Sequence, residues 1–460
     1  MINKKNKCIG VWGFGVVGKA AVNYLHAQGH TLGVMDKRIP TAQELEDLKE
    51  KNVAWYHENE QETFFNSYEF IIPSPGINIS PQRYATHKDK WVHELDLFYS
   101  IFNKPIIAIT GSIGKTSTTH ILQQIFKELL IPVAVGGNIG IPTFDLINEQ
   151  STVDYALLEV SSFQLNYCKN FAPTLAIWTN FYPNHLDHHS TEDEYFAAKN
   201  NILTQQTKDQ LSLVHFMLRN KISPCVNGHK RSYFTTICPN IDELNTLSNN
   251  EQVYYIKDTT VMRYTHNTHI PIMKLTSALL NLSFIDNMLL LTAACDLLNI
   301  NNQALQTVAT TVQLPEHRVE KIGNINNIDF YNDSKATTTA STLAAVEKLH
   351  NRPLHLFLGG LSKGVDRAPF IAQLKNQVKH IYCFGKEAAS LYDMCVANHI
   401  AATYFTTLSD AVSACTVTAQ PGDCVLLSPA GSSYDLYENY EQRGKHFKEL
   451  ITHYIRNNTL

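Results

Sequence analysis

The sequence predicts an α/β protein of three domains: an N-terminal Rossmann-like domain, a central P-loop ATPase-like domain and a C-terminal Rossmann-like domain. Three observations lead there. Strand, glycine turn and helix alternate at both ends of the chain, a phosphate-binding loop stands between them at residues 110–116, and 460 residues exceed one typical domain. Boundaries are expected at residues 98 and 313, giving domains 1–98, 99–313 and 314–460.

Composition narrows the function classes. With 44% hydrophobic and 17% charged residues the chain can bury several cores. A net charge of −4, from 38 Lys+Arg against 42 Asp+Glu, argues against a general binder of nucleic acid or anionic membrane. The nine cysteines are scattered with no C-x-x-C pair, which indicates neither a zinc ribbon nor a disulfide framework and fits a reducing cytoplasm. Lysines at 4, 5 and 7 imitate the start of a signal peptide. The apolar run after them is broken by Gly10, Gly13, Gly15, Gly18 and Lys19, and no stretch approaches a membrane span.

The first element, CIGVWGFGVVGKAAVNYLHAQGHTLGVMD, reads as strand, glycine turn, helix, strand. Gly13, Gly15 and Gly18 match G-x-G-x-x-G, and Asp36 followed by Lys37 ends the next strand where a ribose-binding acid belongs. A dinucleotide and a nucleotide sugar both fit such a cradle. YEFIIPSPGI is a further strand, with Ser74, Pro75 and Gly76 in a loop at the carboxyl edge, where ligands bind. The helical pattern HELDLFYSIF marks the first boundary.

The central domain opens on a β-branched run from Pro105 to Ile109, then Thr110-Gly111-Ser112-Ile113-Gly114-Lys115-Thr116-Ser117 and a helix. Gly111 and Gly114 let the backbone turn its N–H groups inward, Lys115 can reach a terminal phosphate, and the Thr116 hydroxyl can ligate magnesium. Ile109 stands where the longer motif has its first glycine, so this is a shortened P-loop. Next come a glycine-rich turn with one amide, Asn138, and the strand DYALLEV, which ends in Glu159 followed by Ser161. A carboxylate at the tip of a strand beside a P-loop is where a magnesium ligand belongs.

FYPNHLDHHS places His185, Asp187, His188 and His189 in a dense cluster without zinc-site spacing, and a solvated loop is the ordinary reading for His188 and His189. Lys199, on the following helix, reads by default as a surface lysine. VYYIKDTTVMRY predicts a hairpin, and FIDNMLLLTAACDLL a core helix. The last part alternates strands and helices again, which predicts a second parallel sheet. Its polar loops at Asp333-Ser334-Lys335, at Gly359 to Lys363 and at Ser428 to Ser433 are expected on one edge.

The order of these motifs resembles that of the Mur ligases, ATP-dependent amide-bond-forming enzymes of peptidoglycan precursor synthesis. The resemblance covers essentially the whole chain. It is carried by G-S-I-G-K-T-S at 111–117, N-H-L-D at 184–187, Ala198-Lys199 and His317-Arg318. N-D-S-K-A-T at 332–337 and E-Q-R-G at 441–444 are most similar to the D-glutamate-adding branch.

The resemblance implies ATP on Gly111, Ser112, Gly114, Lys115, Thr116, Ser117, Asn287, Arg318 and Asp333. It implies two magnesium ions, one on Thr116 and Glu159 and one on His185 and on Lys199 carried as a carbamate. Lys115, His185 and Lys199 are then catalytic. UDP-N-acetylmuramoyl-L-alanine would lie on Gly13, Gly15, Gly18, Asp36, Lys37, Ser74, Gly76, Asn138 and Ser161, so that the first glycine turn holds UDP and not NAD. D-Glutamate would lie near Lys335, Thr337, Lys363, Ser433 and Tyr440. Ser283-Phe284 replace the family's usual His-Asn pair and leave Asn287 as the amide on that helix. A cytoplasmic monomer is the expected state, with no nucleic-acid partner and no membrane insertion.

Overall fold

The computed structural model describes residues 6–186, 188–222, 229–282, 285–312, 315–349 and 351–458. Asp187, Cys225, Ser283, Phe284 and the expected boundary at 313 lie outside them. The described strands form three sheets.

The first sheet contains β1 (Cys8–Trp12), β2 (Thr31–Asp36), β3 (Ala54–His57) and β4 (Phe70–Pro73). All are parallel, in the order β3-β2-β1-β4. Its aromatic core packs Trp12, Phe64, Phe65, Tyr68 and Trp91 together.

The second sheet contains β5 (Ile106–Thr110), β6 (Val133–Gly137), β7 (Tyr155–Glu159), β8 (Leu175–Trp178), β9 (Leu211–His215) and β10 (Lys230–Thr235), followed by β11 (Glu251–Lys257), β12 (Thr260–Thr265) and β13 (Thr268–Lys274). Its order is β13-β12-β11-β10-β9-β8-β5-β7-β6. Every residue of β5 is buried, because a parallel strand with helices on both faces has no wet side. The hairpin expected around Lys257-Asp258-Thr259 is β11 and β12, paired antiparallel, with Asp258 at φ 56°. Strands β9 to β13 extend the sheet away from the P-loop.

The third sheet contains β14 (Glu320–Ile325), β15 (Ile328–Asn332), β16 (Leu354–Gly359), β17 (His380–Phe384), β18 (Ala402–Phe405) and β19 (Cys424–Leu427), in the order β14-β15-β19-β16-β17-β18. It is not wholly parallel, because β14 pairs antiparallel with β15 at the edge. Asn326 and Asn327 between them have φ of 50° and 61°, and a two-residue turn with both residues left-handed can only join antiparallel neighbours. Apolar clusters cover both faces.

The chain forms two compact units, one of Met1–Asn180, Phe196–Leu279 and Ile285–Thr310, the other of Phe181–Tyr195, Leu280–Phe284 and Thr311–Leu460. The first two sheets share a unit. Between them runs the helix Glu94–Ile101, which the expected boundary at 98 would cut. Among the described residues, no helix is long and apolar enough to cross a membrane.

Candidate active site

In the first sheet the winding reverses between β1 and β4, and the crevice at such a switch point is where parallel sheets bind ligands. Gly13 turns there at φ 98°, and its carbonyl accepts from Ser74 Oγ at 3.0 Å. A Cβ on Gly18 would lie 1.9 Å from that same carbonyl oxygen, so Gly18 exists to let the helix pack on the turn. Gly15 and Gly76 have open space where a side chain would be, and Lys37 is exposed. Asp36 has a second duty: its carboxylate accepts the Phe14 N–H at 2.5 Å and the Arg38 N–H at 2.8 Å, which fixes the glycine turn to the end of β2.

The P-loop follows β5, whose neighbours β7 and β8 supply the walls. Gly111 and Gly114 have φ of 148° and 85°. The loop's shape is set by two residues that the sequence reading gave no role. The Asn180 side chain accepts from Ile113 N–H at 2.9 Å, and the Asn180 carbonyl accepts from Ser112 N–H at 3.2 Å. Thr179 Oγ1 donates to the Ile113 carbonyl at 2.7 Å, and a Cβ on Gly111 would lie 1.9 Å from it. Thr116 and Ser117 occupy the first turn of the helix Lys115–Glu128. Asn287 reaches the same loop, since its Oδ1 lies 3.0 Å from where a Gly114 Cβ would stand.

Two lysine side chains converge on one carbonyl. Lys115 Nζ donates to Gly111 O at 2.7 Å, and Lys199 Nζ to the same oxygen at 2.9 Å. Lys199 is 1% exposed, which corrects its default reading as a surface lysine. Burial, with the Lys115 charge beside it, holds the Lys199 amine well below its ordinary pKa against the pull of Glu159.

Glu159 ends β7 beside the P-loop and is 2% exposed. Its Oε1 accepts the Asn138 side-chain amide at 2.9 Å, while its Oε2 is buried with no hydrogen-bond partner among the described residues. An orphaned carboxylate oxygen in a dry corner fits a hard divalent cation, with the Thr116 hydroxyl as a second oxygen donor. Ser161, two residues on, caps the short helix Ser162–Leu165 in a reciprocal box with Gln164. Gln164 Nε2 donates to Glu94 at 3.4 Å, and Thr143 Oγ1 donates to the other Glu94 oxygen at 2.6 Å. Glu94 thus joins three helices as a buried acid, and nothing in HELDLF distinguishes it from a solvated one.

The second unit holds the remaining predicted residues. His185 stands at φ 58°, and its carbonyl accepts the N–H groups of His188 and His189. His189 is buried against Tyr195 with ring centroids 5.3 Å apart, so the solvated-loop reading fails for it. His185 therefore belongs to a different unit from Thr116, Glu159 and Lys199.

In the third sheet β15, β19 and β16 are neighbours, which brings the three polar loops to one edge, as expected. Asp333 accepts from Ser428 Oγ at 2.8 Å and from Val319 N–H at 3.2 Å. Burial pushes its carboxyl up to about 7, against those bonds and the Arg318 charge. Lys335 Nζ sits 4.7 Å from the Tyr440 ring centroid, and Lys363 Nζ donates to Thr337 Oγ1 at 3.3 Å. Ser433 is buried on the same edge.

Arg443, fully buried, donates to the carbonyls of Ser334 at 2.8 Å and Gly431 at 3.1 Å, binding two of these loops together. A Cβ on Gly444 would lie 2.2 Å from His317 Nδ1. The E-Q-R-G motif is thereby explained as a packing device, a role the sequence reading did not give it.

Comparison with known proteins gives a consistent pattern. Models described as Mur ligase MurD-like N-terminal domain, Mur ligase middle domain and Mur ligase glutamate ligase domain match residues 7–93, 109–295 and 317–431. The chain is 30% identical over 459 residues to the "UDP-N-acetylmuramoylalanine--D-glutamate ligase" of Caldanaerobacter subterraneus subsp. tengcongensis, covering 97% of this chain and 98% of that protein. It is 31% identical over 445 residues to the protein of the same name from Pseudothermotoga lettingae, covering 95% and 96%.

Among solved structures, it resembles a pseudomurein peptide ligase type C from Methanothermus fervidus, with TM-score 0.58 at 16% identity over 97% of this chain and 99% of that one. The MurF ligase from Thermotoga maritima in complex with ADP gives TM-score 0.56 at 13% identity over 98% and 97%. At these identities the structures speak for the fold alone.

Proposed function

The chain belongs to the Mur ligase family, and from that premise we propose that it joins D-glutamate to UDP-N-acetylmuramoyl-L-alanine with consumption of ATP, in peptidoglycan precursor synthesis. The observation that carries the reading is the buried corner where Lys115 and Lys199 converge on Gly111 O beside the orphaned oxygen of Glu159. Such a corner suits a transferring phosphoryl group, and a hydride-transfer enzyme has no use for it.

In the first half-reaction an oxygen of the L-alanyl carboxylate bonds to the terminal phosphorus of ATP, the bridging P–O bond breaks, and ADP leaves. In the second, the D-glutamate amine attacks the resulting acyl phosphate and inorganic phosphate departs. Lys115 and the loop N–H groups at Gly111 and Gly114 hold charge on the phosphoryl group, with Ser112, Thr116, Ser117 and Asn287 beside them and Arg318 and Asp333 completing the ATP contacts. Magnesium, when bound, neutralises repulsion between carboxylate and triphosphate. Thr116 and Glu159 would hold one ion, and His185 with Lys199 a second.

The depressed pKa of Lys199 favours the neutral amine, which can add carbon dioxide and lose a proton to become a carbamate ligand. We assign the sugar nucleotide to Gly13, Gly15, Gly18, Asp36, Lys37, Ser74, Gly76, Asn138 and Ser161. Lys335, Thr337, Lys363, Ser433 and Tyr440 are assigned to the acceptor. The three sheets are taken as the cores of domains 1–98, 99–313 and 314–460, in a cytoplasmic monomer.

Phosphate release from ATP with UDP-N-acetylmuramoyl-L-alanine and a panel of amino acids tests the reading. D-Glutamate should be preferred by orders of magnitude, because a site built to hydrogen-bond a second carboxylate leaves polar groups unpaired without it. A better rate with L-lysine, diaminopimelate or L-alanine overturns the acceptor assignment.

A further inference from the structure

Arg367 has no part in the site described so far, yet its side chain is 2% exposed beneath the acceptor loops. Nη2 donates to Gly360 O at 3.0 Å, while Nε and Nη1 have no hydrogen-bond partner among the described residues. Glu387 faces the guanidinium, with Oε2 3.8 Å from Nη2. The other Glu387 oxygen accepts from Ser362 N–H at 3.1 Å and from Ser362 Oγ at 3.4 Å.

Between and just beyond those two anchors the chain makes an unusual turn, with φ of 72° at Gly360, 55° at Lys363 and 76° at Gly364. A lysine held in the left-handed region persists only where its surroundings over-determine it. The opposite side of the turn is fixed as well, because Leu361 and Ser432 exchange both backbone hydrogen bonds at 3.0 Å. Gly431 passes so close over the guanidinium that a Cβ there would lie 2.3 Å from Arg367 Nη2. One buried cation therefore underlies both the turn carrying Lys363 and the loop carrying Ser433. A buried charge without a full set of acceptors is costly and is not kept for stability alone.

We propose that Arg367 and Glu387 form a clamp that holds the Gly360–Gly364 turn so that Lys363 is presented to the distal carboxylate of a dicarboxylic amino acid. They are positioning residues for acceptor specificity and do not touch the reacting atoms. The inference rests on the reading of Lys363 as the acceptor's cation. Burial pulls the Arg367 pKa below its ordinary value while Glu387 and Asp435 oppose that, in keeping with a cation short of partners.

Steady-state kinetics of the full chain with ATP, UDP-N-acetylmuramoyl-L-alanine and D-glutamate test the clamp on Arg367→Met, Glu387→Leu, their double and Glu387→Gln. Each of the first two should raise KM for D-glutamate about tenfold and KM for ATP less than about twofold, with the double no worse than the worse single, since both act on one turn. Glu387→Gln should stay within about threefold of the parent, because its amide oxygen still accepts from Ser362. An unchanged KM for D-glutamate in both singles, or equal rises for all three substrates, overturns the clamp. If Arg367→Met does not fold, the Glu387 variants decide the matter alone, since that side chain is 32% exposed. Lys363→Ala separates inference from premise. No change in its KM for D-glutamate defeats the reading of Lys363, whereas a rise there with none in the clamp variants defeats only the clamp.

Discussion

Asn138 holds Glu159 twice, by its side-chain amide to Oε1 at 2.9 Å and by its backbone N–H to the Glu159 carbonyl at 2.8 Å. One residue on the loop after β6 thus aims the carboxylate at the end of β7 and leaves Oε2, the oxygen assigned above to a cation, without a hydrogen-bond partner among the described residues. Asn138→Ala should raise the magnesium concentration needed for half-maximal turnover by about ten- to a hundredfold, the worth of a hydrogen bond to a charged group. KM for D-glutamate should not move. A magnesium titration that superimposes on the parent's refutes the role.

Lys115→Ala should cost about 3–4 kcal/mol of transition-state stabilisation, the usual loss when a preorganised charge on a reacting group is removed. Thermal stability should change little, because Lys115 is only partly buried and its amine bonds to carbonyls of its own loop. Near-parental turnover would remove the P-loop assignment.

Lys199→Ala should be nearly inactive and partly rescued by short-chain carboxylates, which can supply the oxygens of a lost carbamate. Parental enzyme assayed in carbon-dioxide-depleted buffer should lose rate and regain it on adding bicarbonate. A buried lysine serving only to hold Gly111 O would show neither rescue nor bicarbonate response.

Glu94→Leu removes the acceptor shared by Thr143 and Gln164 and should cost about 1–3 kcal/mol of stability for the donors left unpaired. Glu94→Gln keeps one acceptor and should lose about half that or less. Denaturant unfolding distinguishes them, and equal stabilities for the two variants would show that packing, not the hydrogen bonds, sets the effect.

Asp333 gives a signed pH prediction. Its folded carboxyl is raised to about 7, so the folded state binds the proton more tightly than the unfolded chain does. The stabilisation is present in full below the unfolded value of about 4 and is lost as pH rises through about 7. Asp333→Asn, which cannot ionise, should therefore show a flatter dependence, and the parent's melting temperature should fall relative to it between pH 5 and pH 8. A relative rise over that window contradicts the buried, protonation-favouring environment.

The sequence by itself determined what contiguous residues encode. Gly111 to Thr116 form a phosphate loop because a β-branched strand, two glycines and a helix start stand in unbroken order, and the same holds for Gly13 to Gly18. The alternation of strand and helix likewise indicated the three α/β domains, and strands running parallel put the loops of Asp333, Lys363 and Ser433 on one edge.

What only the tertiary structure decided is every role that depends on burial or on a distant partner. Lys199 read as a surface lysine and Glu94 carried no reading at all until the fold placed Gly111 O against one and Thr143 and Gln164 against the other. Thr179 and Asn180 sit 66 to 68 residues from the loop they shape, and Arg443 lies 109 residues from Ser334. A hydrogen bond across such a separation leaves no periodicity and no spacing in the chain. Its energy arises from the loss of water around both groups, which exists only once the sheets have brought them together.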